Sequence, residues 1–329
     1  MTVTPQTNST LADIAAVLAE QDDFVICGHV SPDGDCLGSQ LALWHTLRAL
    51  GKNATCVLVK DEPVPASRAF RPGIEQMVPA EKFAGNARTF VGVDVPNRER
   101  IGEAACRILD ACACSITIDH HASDVPMCQH VYVDPDAAAA ALLVWKVVRE
   151  LAPNPPADAA LCAYTGLVSD TGGFRFQNTD PESLIVASEL IAYGVDPAEV
   201  ATRVFQCRSL ASIKLEEALL GRMRLFCGGQ VALSWITSDD MQRVGASKPD
   251  TETLVDTLRS IAGVRVACVL REQDGTVRGS LRSKDDTDVA SLARQLGGGG
   301  HTAAAGFTLF QPIAEAVELM EAKIAELVG

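Results

Sequence analysis

A chain of 329 residues with 47% hydrophobic side chains can bury two cores, at roughly 150 residues per domain. The 28 Lys and Arg stand against 42 Asp and Glu, a net charge of −14 that argues against grip on long duplex nucleic acid, whose affinity comes mainly from phosphate neutralisation. It leaves room for a short nucleotide ligand held by metals and a few local cations. Residues 1 to 23 carry Asp13, Glu20, Asp22 and Asp23 and no basic leader, unlike a signal peptide. No apolar run approaches the roughly 18 residues of a membrane span, so a cytoplasmic protein without a membrane partner is expected.

From the N-terminus, short apolar runs alternate with helical patterns: "FVICGHV", "LGSQLALWHTLRAL", "ATCVLV", "TFVGVDV", "RIGEAACRILD" and "SITIDHH". Continuously apolar strands in such βαβ alternation predict an α/β fold, a parallel, doubly wound sheet covered on both faces. In that architecture ligands sit beyond the carboxyl ends of the strands. Residues 137–151 and 157–168 read as helices broken by "APNPPA", and "DPESLIVASELIAYGVDPAEV" as one further capped helix. The amphipathic "SIKLEEALLGRMRLF" makes 205–228 a helical connector between a domain over 1–204 and a second over 229–329. That second domain reads as a smaller α+β unit: strand "QVALSWIT", helix "TETLVDTLRSI", strands "VRVACVL" and "VRGSLRS" with a hairpin turn at "EQDGT", helix "DVASLARQL", "GGGGHTAAAGFTL" and a closing helix.

Chemistry concentrates at four places expected to lie at strand ends. "HVSPDGD" brings His29, Asp33 and Asp35 together, with Gly34 expected to give a tight turn between the carboxylates. Asp94 ends "TFVGVD", Asp119, His120 and His121 end "SITIDHH", and Asp170 lies in "LVSDTGG". Carboxylates gathered this way repel one another and lose hydration, so they need compensating cations. Two divalent ions sharing a bridging carboxylate would fit, and such pairs clamp the attacking and leaving oxygens of a displacement at phosphorus. A mix of carboxylate and imidazole suits Mn²⁺ better than Mg²⁺.

The motifs "HVSPDGD", "VGVDV", "IDHH" and "SDTGGFRF", in that order, resemble those of the DHH phosphoesterase superfamily. "GSLRS" followed by "DVASLARQLGGGGHTAAAG" resembles its DHH-associated C-terminal domain, and the likeness spans roughly residues 20 to 310. The resemblance implies one metal on His29, Asp33 and Asp94 and a second on Asp35, Asp94, His120 and Asp170. His121 would face the scissile phosphate, Asp119 would orient the histidines, and Mn²⁺ would be the cofactor, two ions with Mg²⁺ or Co²⁺ as substitutes. A second domain across a cleft would bind substrate through Arg282, Ser283, Gly298, Gly299, Gly300 and His301. The four glycines are expected to expose backbone N–H groups as an anion nest beside Arg282 and His301. Arg100 and the pair Phe174 and Arg175 stand between substrate contact and structural roles.

Other readings are weaker. Gly298, Gly300 and Ala303 fit G-x-G-x-x-A, but a helix rather than a strand precedes them, and no Walker-type "GKS" or "GKT" occurs. The 11 Cys lie mostly in apolar runs, as in a reducing compartment, and Cys112 with Cys114 lacks the second pair of a zinc site. His45, His130 and the three Trp read as structural. "DPDAAAAALLVW" departs from the superfamily, which usually has a Ser/Thr and a Glu there; the helix survives, but polar substrate contacts would be lost. Lacking the extra domains of long-strand exonucleases and membrane phosphodiesterases, and carrying "GGGGH" where the pyrophosphatases do not, the chain resembles the stand-alone nano-RNase and phosphoadenosine-phosphate phosphatase type. The expected substrates are short RNA, linear dinucleotides and adenosine 3′,5′-bisphosphate, with a cyclic di-AMP phosphodiesterase or a non-catalytic nucleotide-binding module as alternatives. A homodimer is one oligomeric form left open.

Overall fold

The structure is a computed structural model that describes residues 4–65, 67–122, 125–273 and 275–329. The chain divides into two compact units, Met1–Cys207 and Arg208–Gly329.

In the first unit, α1 (Leu11–Glu20) leads into β1 (Phe24–Cys27), α2 (Gly34–Ala49), β2 (Ala54–Leu58), the two-residue β3 (Val78–Pro79) and β4 (Thr89–Val93). Then follow α3 (Arg98–Ala111), β5 (Cys114–Asp119), β6 (His130–Val133) and four helices: α4 (Ala140–Leu151), α5 (Ala157–Asp170), α6 (Pro181–Ala192) and α7 (Pro197–Phe205). All pairings are parallel, in the order β3-β2-β1-β4-β5-β6. The chain winds from β1 outward to β3, then returns to β4 and winds the other way. The order therefore reverses between β1 and β4, where doubly wound sheets open a crevice beyond their carboxyl ends.

Strands β1, β4 and β5 are buried along their whole length, as a sheet covered on both faces requires. α1, α2, α4 and α5 cover one face, with Leu37, Leu41, Leu142, Trp145 and Leu167 in one core, and α3 covers the other with Ile101, Ala105 and Leu109. α2 is buried nearly all round. It reaches α5 through glycine: a Cβ at Gly38 would lie 2.5 Å from the Cys162 carbonyl oxygen. The single helix expected over 180–200 is two, each opened by an Asp cap and a proline at its first turn. Gly194, at φ +98°, makes the break between them.

The second unit opens with α8 (Leu210–Gly221), β7 (Arg224–Phe226), β8 (Val231–Ile236), α9 (Ser238–Val244) and α10 (Leu254–Arg259). It continues through β9 (Val266–Gln273), β10 (Thr276–Ser283), α11 (Val289–Gln295), β11 (Gly299–His301), β12 (Ala304–Leu309) and α12 (Ile313–Val328). The sheet order is β11-β12-β10-β9-β8-β7, antiparallel except for β8 with β9. From Arg208 onward the stretch expected as a connector is part of this unit: α8 sinks Leu215 and Leu219 against Ala232, Leu254 and Val269. α11 and α12 cover the opposite face with Leu292, Val317 and Met320. The β9–β10 hairpin sets Gln273 opposite Thr276, and Asp274 of its turn lies outside the described residues. No helix among the described residues is long and apolar enough to cross a membrane.

Candidate metal centre

The reversal between β1 and β4 determines which side chains meet. His29 follows β1, Asp94 follows β4, and Asp119, His120 and His121 end or follow β5. Asp33 is the N-cap of α2: its Oδ1 accepts from the backbone N–H of Asp35 and Cys36, both at 3.0 Å. That leaves Oδ2 facing His29 Nε2 at 3.8 Å. In the first turn of the helix, fully buried Asp35 accepts from the N–H of Ala140 (2.7 Å) and Ala141 (2.9 Å). Asp35 thus caps α4, whose own N-cap, Ala139, has no side-chain oxygen to offer. The alanine run that departs from the superfamily pattern is therefore a backbone partner of the centre.

Asp94 is held at φ +53°, a left-handed conformation costing roughly 1–2 kcal/mol in a residue with a Cβ. Its carboxylate lies between histidines, with Oδ2 3.4 Å from His29 Nε2 and Oδ1 3.5 Å from both His120 Nε2 and His121 Nδ1. His120 Nε2 also lies 3.4 Å from Asp170 Oδ2 and 3.9 Å from Asp35 Oδ2. Asp170 is the last residue of α5 and not a strand end, a correction to the expected placement. Gly34 also departs from expectation. It is helical, and what demands glycine is space, because a Cβ there would lie 2.3 Å from Ser169 Oγ and 2.9 Å from Arg71 Nη2.

The imidazoles are oriented from behind. His29 Nδ1 donates to the Val30 carbonyl (2.9 Å) and His120 Nδ1 to the Ala137 carbonyl (3.1 Å), so each presents Nε2 to the carboxylates. His121 Nδ1 bonds Asp119 Oδ1 at 2.9 Å. Arg100 Nη2 lies 3.4 Å from His29 Nδ1, which places Arg100 beside the cluster.

Charge is unbalanced here. Burial, then the charge of Asp94, raises the Asp35 carboxyl to about 7, and burial with Asp35 raises Asp170. Burial alone would raise Asp94 too, but His120 and His29 hold it far below the usual range; His29 likewise keeps Asp33 at about 2 against burial. Despite burial, the carboxylates raise all three histidines. The raised groups take up protons, the simplest positive charge that can offset these carboxylates. Asp94 Oδ1 and Asp119 Oδ2 are buried without a hydrogen-bond partner, and Asp35, Asp94 and His120 offer atoms within 4.8 Å of one another. Unsatisfied carboxylate oxygen facing imidazole nitrogen, four carboxylates deep, is a donor set for divalent metal.

Sequence reasoning missed several contributors. Cys36 lies with His29 and Asp94, its thiol pushed up by burial and by Asp94. Buried Arg71, 2% exposed, donates to Thr165 Oγ1 on α5 and to the Gly34 carbonyl, and Arg68 donates to the Pro32 carbonyl. Together they pin the 30–35 segment to α5. The signal was an arginine in the apolar context "AFRPG", a residue type rarely buried without purpose. Phe174 packs on Tyr164 and the main core, and Arg175 stacks over Phe205. His45 bonds the Pro72 carbonyl, and His130 lies in β6.

In the second unit the glycine block is not one continuous nest. Gly298 donates its N–H to the Ala293 carbonyl at the end of α11, and a Cβ there would lie 2.1 Å from the Gly306 carbonyl oxygen. Gly299, Gly300 and His301 form the edge strand β11. Ser283 is buried, with its hydroxyl committed to Asp285, so it is a loop anchor. Arg282 and His301 pair with the same residue, Ala304, from either side and so share one sheet face.

Residues 23–167 match the DHH family, N-terminal domain, and residues 228–328 the DHHA1 domain. The chain is 35% identical over 299 residues to the bifunctional oligoribonuclease and PAP phosphatase NrnA of Thermus thermophilus, covering 90% of this chain and 87% of that protein. An exopolyphosphatase-related protein from Bacteroides fragilis superposes with a TM-score of 0.88 at 26% identity over 98% of both chains. RecJ from Thermus thermophilus, solved with Mn²⁺, shares the fold at a TM-score of 0.56 and 16% identity, over 96% of this chain and 54% of RecJ.

Proposed function

The chain belongs to the DHH family, and from that premise we propose that it is a dimetal phosphoesterase hydrolysing short oligoribonucleotides or linear dinucleotides to mononucleotides and adenosine 3′,5′-bisphosphate to AMP. The observation that carries the reading is the cluster at the β1/β4 reversal, where Asp94 lies between His29 and His120 with one buried oxygen unpartnered. The proposed ligand sets are His29, Asp33 and Asp94 for one ion and Asp35, Asp94, His120 and Asp170 for the other, with Mn²⁺ favoured by the mixed donors. When bound, the ions supply an activated water and offset charge at the phosphate under attack.

The remaining work falls to this chain's side chains. His121, oriented by Asp119 through Nδ1, presents its other nitrogen for a hydrogen bond to a phosphate oxygen or a proton to the leaving group. Arg100 beside His29 brings a fixed cation to the same place. In the second unit, Arg282, His301 and the open Gly299 are proposed to bind phosphate. The name of the relative from Thermus thermophilus supports both substrate classes at an identity that spans both units.

The test is product release by purified protein with Mn²⁺ on adenosine 3′,5′-bisphosphate, linear diadenylate, a five-residue RNA, a long RNA and cyclic di-AMP, beside Asp94→Ala. Turnover of the bisphosphate and diadenylate that depends on Asp94, with little on the long RNA, is expected. Dominant turnover of cyclic di-AMP would replace this substrate class, and no turnover at all would leave a nucleotide-binding module.

A further inference from the structure

Of the ten arginines from Arg208 onward, seven form ion pairs among the described residues. The other three, Arg271, Arg278 and Arg282, lie on two adjacent strands. Arg278 of β10 pairs in register with Arg271 of β9, and Arg282 follows four residues along β10, so the alternation of the pleat puts all three on one face. Like charges directly opposite each other destabilise a sheet, and among the described residues neither arginine has an ion pair to offset that. Arg271 donates to Ser280 Oγ and Thr251 Oγ1, leaves its Nε buried without a partner, and feels the charge of Glu252 without an ion pair.

The face is open at Arg278, while Arg271 is half-buried with its donors held by Ser280 and Thr251. The core beneath α8 and α10 takes its strand residues from β8 and β9, namely Ala232, Ile236, Ala267 and Val269, and none from β10 or β12. Beside Arg278, Ser280 and Arg282, β12 presents Thr308, Gly306 and Ala304, so the floor is low. Gly306 and Arg278 are exposed, and Phe310, 87% exposed, follows β12 at the Arg278 end. The opposite end of the face carries His301 beside Ala304.

We propose that this face is a track for the sugar-phosphate backbone of a short single-stranded oligonucleotide, with Arg282 and His301 at one end and Arg278, beside the half-buried charge of Arg271, at the other. The proposal rests on the phosphoesterase reading and deepens it by naming what sets substrate length. Four residues of β10 span about 13 Å, the axial length of about four stacked nucleotides. A bisphosphate or dinucleotide engages the Arg282 end alone, whereas a tetramer or pentamer also reaches Arg278. Phe310 offers its exposed ring for a base to stack on.

The experiment measures binding of end-labelled penta-adenylate and of adenosine 3′,5′-bisphosphate to the full-length protein in EDTA, at several salt concentrations. The variants are Arg278→Ala, Arg278→Lys and Arg271→Met, with Arg243→Ala, which removes an ion-paired arginine, as a charge-matched control. Arg278→Ala is expected to weaken the pentamer about tenfold and lower its salt slope by about 0.7, with a much smaller change for the bisphosphate. Arg278→Lys should recover part of the loss, because a point charge still meets phosphate. An unchanged pentamer affinity, an equal loss on both ligands, or an equal loss in Arg243→Ala would overturn the track. Should the variants behave as expected while nothing is hydrolysed, the proposed activity falls and the surface stands; turnover of RNA without any arginine effect removes the surface alone.

Discussion

Gly38→Ala tests whether the spacing of α2 and α5 sets the metal centre. In a helix interior this change ordinarily stabilises by about 1 kcal/mol. Here the new Cβ would lie 2.5 Å from the Cys162 carbonyl oxygen and 2.9 Å from the Gly166 nitrogen, backbone atoms that no rotamer change can move. Ordinary contact begins near 3.4 Å, so the helices must separate by about 0.9 Å, the difference between 3.4 and 2.5. Overpacking of this kind costs about 1–3 kcal/mol, leaving a net loss of about 0–2 kcal/mol after the helix gain. The larger effect is geometric. α2 carries Asp33 and Asp35 and α5 carries Asp170, so the donors on the two helices separate by a distance beyond the about 0.5 Å that an organised site tolerates. A folded variant with Mn²⁺ affinity at least tenfold lower and turnover reduced about 100-fold is expected. Calorimetric Mn²⁺ titration, urea unfolding in EDTA, and bisphosphate turnover measure the three quantities. Gly221→Ala, where a Cβ meets nothing within 4 Å, serves as the uncrowded control. If Gly38→Ala gains stability and binds Mn²⁺ like the parent, helix spacing does not hold this centre together.

Asp35 and Asp170 should behave oppositely in chelator. Asp35→Asn loses an acceptor for the Ala140 or Ala141 N–H and should destabilise by about 1–2 kcal/mol, whereas Asp170→Asn removes a carboxylate that burial and Asp35 disfavour and should stabilise the metal-free protein; urea unfolding in EDTA measures both. Burial would raise the Asp240 carboxyl, but Arg222 and the Thr237 amide hold it at about 2, so its contribution is present above the unfolded value near 4 and is lost as pH falls from there through 2. Asp240→Asn should therefore lower the stability of the second unit by about 2 kcal/mol at pH 7, with the gap to the parent closing toward pH 2; a gap independent of pH would show that the ion pairs are not its source. Gly299→Ala meets nothing within 4 Å and should leave thermal stability unchanged while weakening bisphosphate binding, and equal binding by this variant would count against phosphate on β11.

The parallel sheet was legible because β1, β4 and β5 are buried on both faces, so hydrophobic continuity, strand period and loop length agree. The donors were legible for a related reason: charge is rare at the end of a buried strand, and His29, Asp94 and Asp119 stand there. What stayed hidden depends on partners far away in the chain. Ala140 and Ala141 gave no sign of holding Asp35, because their contribution is a backbone N–H that every residue carries. Gly34 and Gly38 matter through what approaches them, Ser169, Arg71 and Cys162, and local sequence does not report an approach from more than 30 residues away. The glycine block misled for the same reason. Four glycines in a row announce freedom, yet Gly298 is pressed against the Gly306 carbonyl and Gly300 against that of Ala304, so close strand approach, not an open nest, fixes two of the four. Arg271 and Arg278 are seven residues apart and face each other only once the β9–β10 hairpin closes. Their charge was visible in the sequence, but their lack of ion-pair partners among the described residues was not, and it is on that lack that the proposed anion surface rests.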